Sequence, residues 1–121
     1  LVEDDRGVLS EGASIIKGHN SQMYDANEEK SIDVDCFDFP EYLKKLKDYD
    51  NIVIKMDVEG SEYILLEKII ENITEIQNIK HIFIEFHSRF MNKDLKKKFR
   101  LKEIHIKDSL KKNKISFTLW I

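Results

Sequence analysis

The stretch Ile52-Val53-Ile54-Lys55-Met56-Asp57-Val58-Glu59-Gly60 decides how this sequence reads. Ile52 to Val58 is apolar almost throughout and rich in β-branched residues. Such a run spells a buried strand, and a strand apolar on both faces belongs to a parallel sheet covered by helices on both sides. Gly60 supplies a turn at its end. Two acids, Asp57 and Glu59, stand at that end, where a parallel sheet meets its ligands.

Downstream, Ser61 is the expected N-cap of a helix, with Glu62 and Glu67 near its start. Leu65, Leu66, Ile69, Ile70 and Ile73 recur at amphipathic helical spacing. Thr74 to Lys80 links to a second buried strand, His81-Ile82-Phe83-Ile84-Glu85-Phe86. The order strand, helix, strand with short links predicts a right-handed parallel crossover. His87-Ser88-Arg89-Phe90 lies just past that second strand. Asp94 to Asn113 reads as a basic helical region broken near Arg100 or Glu103, and Ile115 to Ile121 as a closing strand.

Upstream, Ser31 to Phe39 alternates, with Ile32, Val34 and Cys36 on one side and Asp33, Asp35 and Phe37 on the other. That period of two predicts a strand with one solvated face. Asp38 is placed to cap a helix whose first turn holds Pro40 and Glu41, with Tyr42, Leu43 and Leu46 inward. Asp48 to Asn51 ends it as a turn. Leu1 to Asn20 reads as short strands or irregular edge structure, and Ser21 to Lys30 as a loop.

With 121 residues the chain is read as one domain spanning residues 1–121. Hydrophobic residues make up 41% and charged residues 36%, a globular rather than a disordered balance. The net charge of −3 hides an asymmetry. Leu1 to Glu62 carries 16 acids against 7 bases, and Lys93 to Lys114 carries 10 bases against 3 acids. The basic stretch reads first as a solvated helix face. Its bases are mostly lysines with few aromatics between them, which weighs against nucleic acid as a partner. Cys36 stands alone, so an internal disulfide and a cysteine metal cluster are excluded, and a reducing, cytoplasmic setting fits. No apolar run approaches the ~20 residues of a membrane helix, and no signal peptide pattern is present.

The chemistry-bearing residues gather at the two strand ends. The first end offers Asp57, Glu59 and Gly60, and the second offers Glu85, His87 and Arg89. A carboxylate and an imidazole converging on one crevice can deprotonate a hydroxyl. Plainer readings stand beside these. Asp57 can accept from turn amides, and Glu62 reads more readily as an acid favouring the helix dipole than as a ligand contact. His87 can be a satisfied strand-end histidine, Arg89 a surface partner of Glu85, and Ser14 a turn hydroxyl. Phe117 and Trp120 read as core. Asp57, Glu59 and His87 could hold a metal in principle. The Asp-x-Glu spacing gives no defined third ligand, so no metal is assigned. A glycine-rich phosphate loop and a nucleophile elbow are both missing.

Lys55-Met56-Asp57-Val58-Glu59-Gly60-Ser61-Glu62-Tyr63, followed by Leu66-Glu67, resembles the hallmark motif of the FkbM-family methyltransferases. Ile82 to His87 resembles the family's next strand, and Gly12-Ala13-Ser14-Ile15 its serine-containing turn. Ile32 to Asp38 resembles the segment before the motif helix. The match in order and spacing covers most of Gly12 to His87. The resemblance implies an α/β, Rossmann-like class I methyltransferase fold with a mostly parallel sheet flanked by helices. It also implies methyl transfer from S-adenosylmethionine to a hydroxyl of a sugar, polyketide or similar small molecule. Carried over, Asp57 and His87 are catalytic, and Ser14, Asp57, Glu59 and Gly60 line the cofactor. The family's first strand, glycine turn and ribose-holding acid have no counterpart ahead of Gly12. The expectation is therefore a partial domain, the carboxyl-terminal half of the enzyme, with an open sheet edge suited to association. The alternative is a non-catalytic α/β binding module built on the same fold.

Overall fold

The computed structural model of the protein describes residues 14–16 and 33–120. The elements run α1 (Phe39–Lys45), β1 (Ile52–Met56), α2 (Glu62–Glu71), β2 (Ile79–Ile84), α3 (Lys93–Lys112) and β3 (Phe117–Leu119), with a 3-10 turn at Ser88–Phe90. Among the described residues the fold is α/β, a three-stranded parallel sheet flanked by helices, consistent with a partial methyltransferase fold.

The strands pair in the order β1-β2-β3. Met56 lies opposite Ile84, and Ile84 opposite Leu119. The parallel pairing of β1 and β2 through α2 follows the sequence expectation. Both strands are shorter than the apolar runs, so Asp57, Val58, Glu85 and Phe86 lie beyond the last ladder residues.

Each helix has a local reason to start where it does. Asp38 caps α1 by accepting from the Glu41 N–H at 3.0 Å, and Pro40 sits in its first turn. Asn92 caps α3 by accepting from the Leu95 N–H at 3.0 Å. The Ser61 side chain makes no capping bond, contrary to expectation, because its backbone is already helical. Glu62 takes a neighbouring amide instead, as described below.

One face of the sheet is sealed. Ile54, Met56, Ile82 and Ile84 pack against Leu66 and Ile69 of α2 and Ile106 and Leu110 of α3. Burying such side chains stabilises by about 1.5–3 kcal/mol each. Tyr63 lies in the same core with its ring edge-on to Phe99, centroids 4.6 Å apart. Its hydroxyl donates to Glu103 Oε1 at 3.0 Å, and burial, with the Glu103 charge, pushes the phenol far above its ordinary value. Lys102 clamps α3 to α2 through Glu67 at 2.8 Å.

Several expectations are corrected. The other face of the sheet is not covered by helices among the described residues, since Val53 is 59% exposed and Lys55 and Phe83 also face out. Apolar composition alone does not distinguish a strand buried on both faces from one with a single sealed face. Residues 33–38 form no strand and are exposed, for alternation supplies a face but not a ladder partner. Tyr42 is exposed rather than inward. α3 is one unbroken helix of 20 residues, because Arg100 faces out and the inward-lying Glu103 is satisfied by the Tyr63 hydroxyl, while Phe99, Ile106 and Leu110 keep the apolar stripe. Trp120 is 42% exposed and lies beside Lys55, whose Nζ is 3.6 Å from the ring centroid. The irregular structure expected over residues 1–20 lies outside the described residues except at 14–16, and the loop at 21–30 lies wholly outside them. No helix among the described residues is long and apolar enough to cross a membrane.

Candidate functional site

Parallel strands put their carboxyl ends on one rim. Asp57 follows β1 directly, and the chain then turns sharply. Glu59 has φ 48° and Gly60 has φ 100°, both left-handed. Such a backbone costs a non-glycine residue on the order of 1 kcal/mol or more, so the surroundings must hold Glu59 there. Three bonds do so. The Ser61 N–H donates to the Val58 carbonyl at 3.1 Å. The buried Ser14 hydroxyl donates to the Glu59 carbonyl and accepts from the Ile16 N–H at 3.1 Å. The Gly60 N–H donates to Glu62 Oε2 at 2.9 Å.

Glu62 is 0% exposed, and its second oxygen reaches the other strand end. Glu62 Oε1 accepts from the His87 N–H at 2.8 Å and lies 3.3 Å from His87 Nδ1. One carboxylate at the first turn of α2 thus ties the turn after β1 to the segment after β2. His87 is 1% exposed, and its ring is held from the Nδ1 side. Its Nε2 then faces the rim. Asp57 Oδ1 lies 3.5 Å from Nε2, Glu59 Oε1 3.6 Å and Glu85 Oε1 3.9 Å. Arg89 pairs with Glu85 and also donates to the Phe86 carbonyl at 3.1 Å.

The electrostatics follow from this crowding. Burial pulls the His87 imidazole down, but the Glu62 hydrogen bond and charge, joined by Glu59 and Glu85, outweigh it and hold the ring above its ordinary value. Burial raises the Glu59 carboxyl; His87 opposes that rise, while Asp57, Glu62 and Glu85 add to it. A histidine in such a position can take a proton from a hydroxyl placed at Nε2. Asp57, Glu85 and His87 each bring one ligand atom within 4.8 Å of the others, a spacing a metal ion can use. Beside the rim, along the outer edge of β1, runs a groove of about 400 Å³ lined in part by Phe37, Phe39, Met56, Val58 and Leu65.

The structure gathers the five residues that the family resemblance carries over to the site. Asp57, Glu59 and His87 meet directly, Gly60 makes the turn, and Ser14 braces it. Glu62 was read mainly as a helix-dipole acid, and that reading is too small. Its distance from His87 is 25 residues in sequence, a separation that helix rules do not see. The available signal was its position two residues after the turn glycine, close enough to fold back on it. Glu85 joins the cluster as well as pairing with Arg89.

A family model described as the methyltransferase FkbM domain matches residues 11–111. No curated protein and no solved structure matches the chain.

Proposed function

The chain belongs to the methyltransferase FkbM domain family, and on that premise we propose that it transfers a methyl group from S-adenosylmethionine to a hydroxyl oxygen of a sugar or similar small molecule. The observation that carries the proposal is the convergence of Asp57, Glu59 and Glu85 on the buried His87 at the carboxyl rim of the sheet. The cofactor, when bound, supplies an electrophilic methyl on a cationic sulfonium. A wall of carboxylates suits a cation with hydroxyl and amino groups, so the residues present fit it.

Asp57 and Glu59 would face the cofactor, with Gly60 allowing its close approach. Ser14 acts through the turn, since its hydroxyl holds the Glu59 carbonyl. His87 Nε2 receives the proton that the acceptor hydroxyl gives up, and Asp57 stabilises the imidazolium that results. Glu62 keeps Nε2, rather than Nδ1, directed at the acceptor. Positioning the hydroxyl in line supplies much of the rate. The exposed Cys36 suits a reducing compartment, and a cytoplasmic location belongs to the same proposal.

Calorimetry with S-adenosylmethionine, followed by a methyl-release assay over a panel of sugars and polyols, tests the reading. Binding of the cofactor with turnover of at least one hydroxyl acceptor is the expected result. A folded protein that binds no cofactor would leave the non-catalytic module as the better description.

A further inference from the structure

We propose that Asp57, Glu85 and His87 form a binding site for one divalent cation of the Mn2+ class. The first ground is geometric. One ligand atom from each residue lies within 4.8 Å of the other two. His87 Nε2 stands 3.5 Å from Asp57 Oδ1 and 3.9 Å from Glu85 Oε1. These separations exceed the usual 2.7–3.2 Å of a hydrogen bond. They suit donors arranged around a shared ion. With ligands at about 2.1–2.4 Å, neighbouring donors of an octahedron lie about 3.0–3.4 Å apart and opposite donors about 4.2–4.8 Å.

The second ground is the support behind the histidine. Metal-binding imidazoles commonly engage a carboxylate through the other ring nitrogen, which fixes the tautomer and turns the lone pair toward the ion. Glu62 takes that place at His87 Nδ1, fully buried and held in turn by the Gly60 and His87 amides. A third ground is the oxygen supply. The strained turn brings Glu59 Oε1 to 3.6 Å from the same Nε2, and the Asp57 side chain, 41% exposed, keeps the cluster open to solvent. Arg89 engages one of the four carboxylates around His87, through Glu85. One imidazole with carboxylate oxygens is a donor set for a borderline-to-hard ion, between the imidazole preference of Zn2+ and the oxygen preference of Mg2+. Three protein ligands leave positions for water or for an acceptor hydroxyl. A hydroxyl bound there would release its proton more readily. With the ion bound, His87 Nε2 serves as a ligand instead of as the base, and Glu59, whose Oε1 lies 3.6 Å from it, takes the proton; that consequence rests on the methyl-transfer reading, and the cation site does not.

The test needs neither cofactor nor acceptor. The full chain, stripped with chelator and dialysed, is titrated with Mn2+ while the free-ion resonance is followed. Spin-echo modulation then reads any directly bound nitrogen. One bound Mn2+ with a nitrogen coupling is expected. Asp57→Asn and Glu85→Gln should each weaken it at least tenfold, and Glu62→Gln, which does not touch the ion, by about 10–100-fold. Glu71→Gln, on the exposed end of α2, should leave it unchanged. His87→Gln should abolish the nitrogen coupling, and should that variant fail to fold, the solvent-facing Asp57→Asn still decides the matter. A folded wild-type chain that takes up no Mn2+, or binding without nitrogen coupling, or binding indifferent to both carboxylate changes, overturns the proposal. None of these outcomes depends on methyl transfer, so the two readings can fail separately.

Discussion

Replacing Glu62 by glutamine should destabilise the protein far more than a neutral, same-sized change usually does. Three N–H groups converge on this side chain, from Gly60 at 2.9 Å, the His87 backbone at 2.8 Å and His87 Nδ1 at 3.3 Å. A glutamine amide has one oxygen. If that oxygen replaces Oε1, the amide NH2 meets the Gly60 N–H donor to donor. The reverse placement strands both His87 contacts. At least one buried donor is left without an acceptor, at roughly 1–3 kcal/mol. The surviving bonds also lose their charge assistance, about half their strength. The expected loss is about 2–4 kcal/mol, taking both effects together. With urea slopes of about 1–3 kcal/mol/M, the unfolding midpoint should fall by about 0.7–4 M at unchanged slope. Glu71→Gln, exposed and paired with Lys68, should stay within about 0.5 kcal/mol. If Glu62→Gln matches the wild type within that margin, the carboxylate is not the tie between the two strand ends.

Other outcomes follow from the same geometry. Gly60→Ala forces a Cβ into a backbone at φ 100° and should cost about 1–3 kcal/mol in urea unfolding. Leu110→Ala opens the fully buried seam between α3 and the sheet and should cost about 2–5 kcal/mol by the same assay. Because His87 is held above its ordinary 6.5, its contribution is complete below that pH and fades as pH rises through the folded value. The raised Glu59 works in the same direction, at lower pH, so both groups favour the acid side. Urea midpoints measured from pH 6 to 9, beside an NMR titration of the His87 ring, check the first; His87→Gln should flatten the slope. Asp57→Asn should lower methyl transfer by at least about 100-fold in a methyl-release assay, with the fold intact by circular dichroism.

Much of this was readable from residue order alone. The β-branched run before Asp57 and the stripe from Leu65 to Ile73 gave β1 and α2 because both periodicities are local. The rule that ligands gather at strand carboxyl ends was enough to bring Asp57, Glu59 and His87 together. What escaped is non-local. Residues 33–38 alternate like a strand, yet pairing depends on a neighbour that alternation cannot supply. Val53 and Phe83 have the composition of doubly buried positions, and only the stacking of the helices shows which face is sealed. Glu62 satisfied one local explanation, the helix dipole, which concealed its bond to a residue 25 positions away.

The alignment of Met56 with Ile84, and the Glu85 N–H bonded to the Met56 carbonyl at 3.0 Å, works as a checksum on assembly. Sliding β1 past β2 by one residue would send alternate side chains to opposite faces. A slipped β1 would turn Lys55 inward and Ile54 and Met56 outward, yet the helices would keep their own hydrogen bonds, so helix content alone would not reveal the error. Such a strand could not bring Asp57 and His87 face to face. A preparation of such molecules would contain two populations of equal helicity, of which one carries the cluster, and the working fraction would report the register itself.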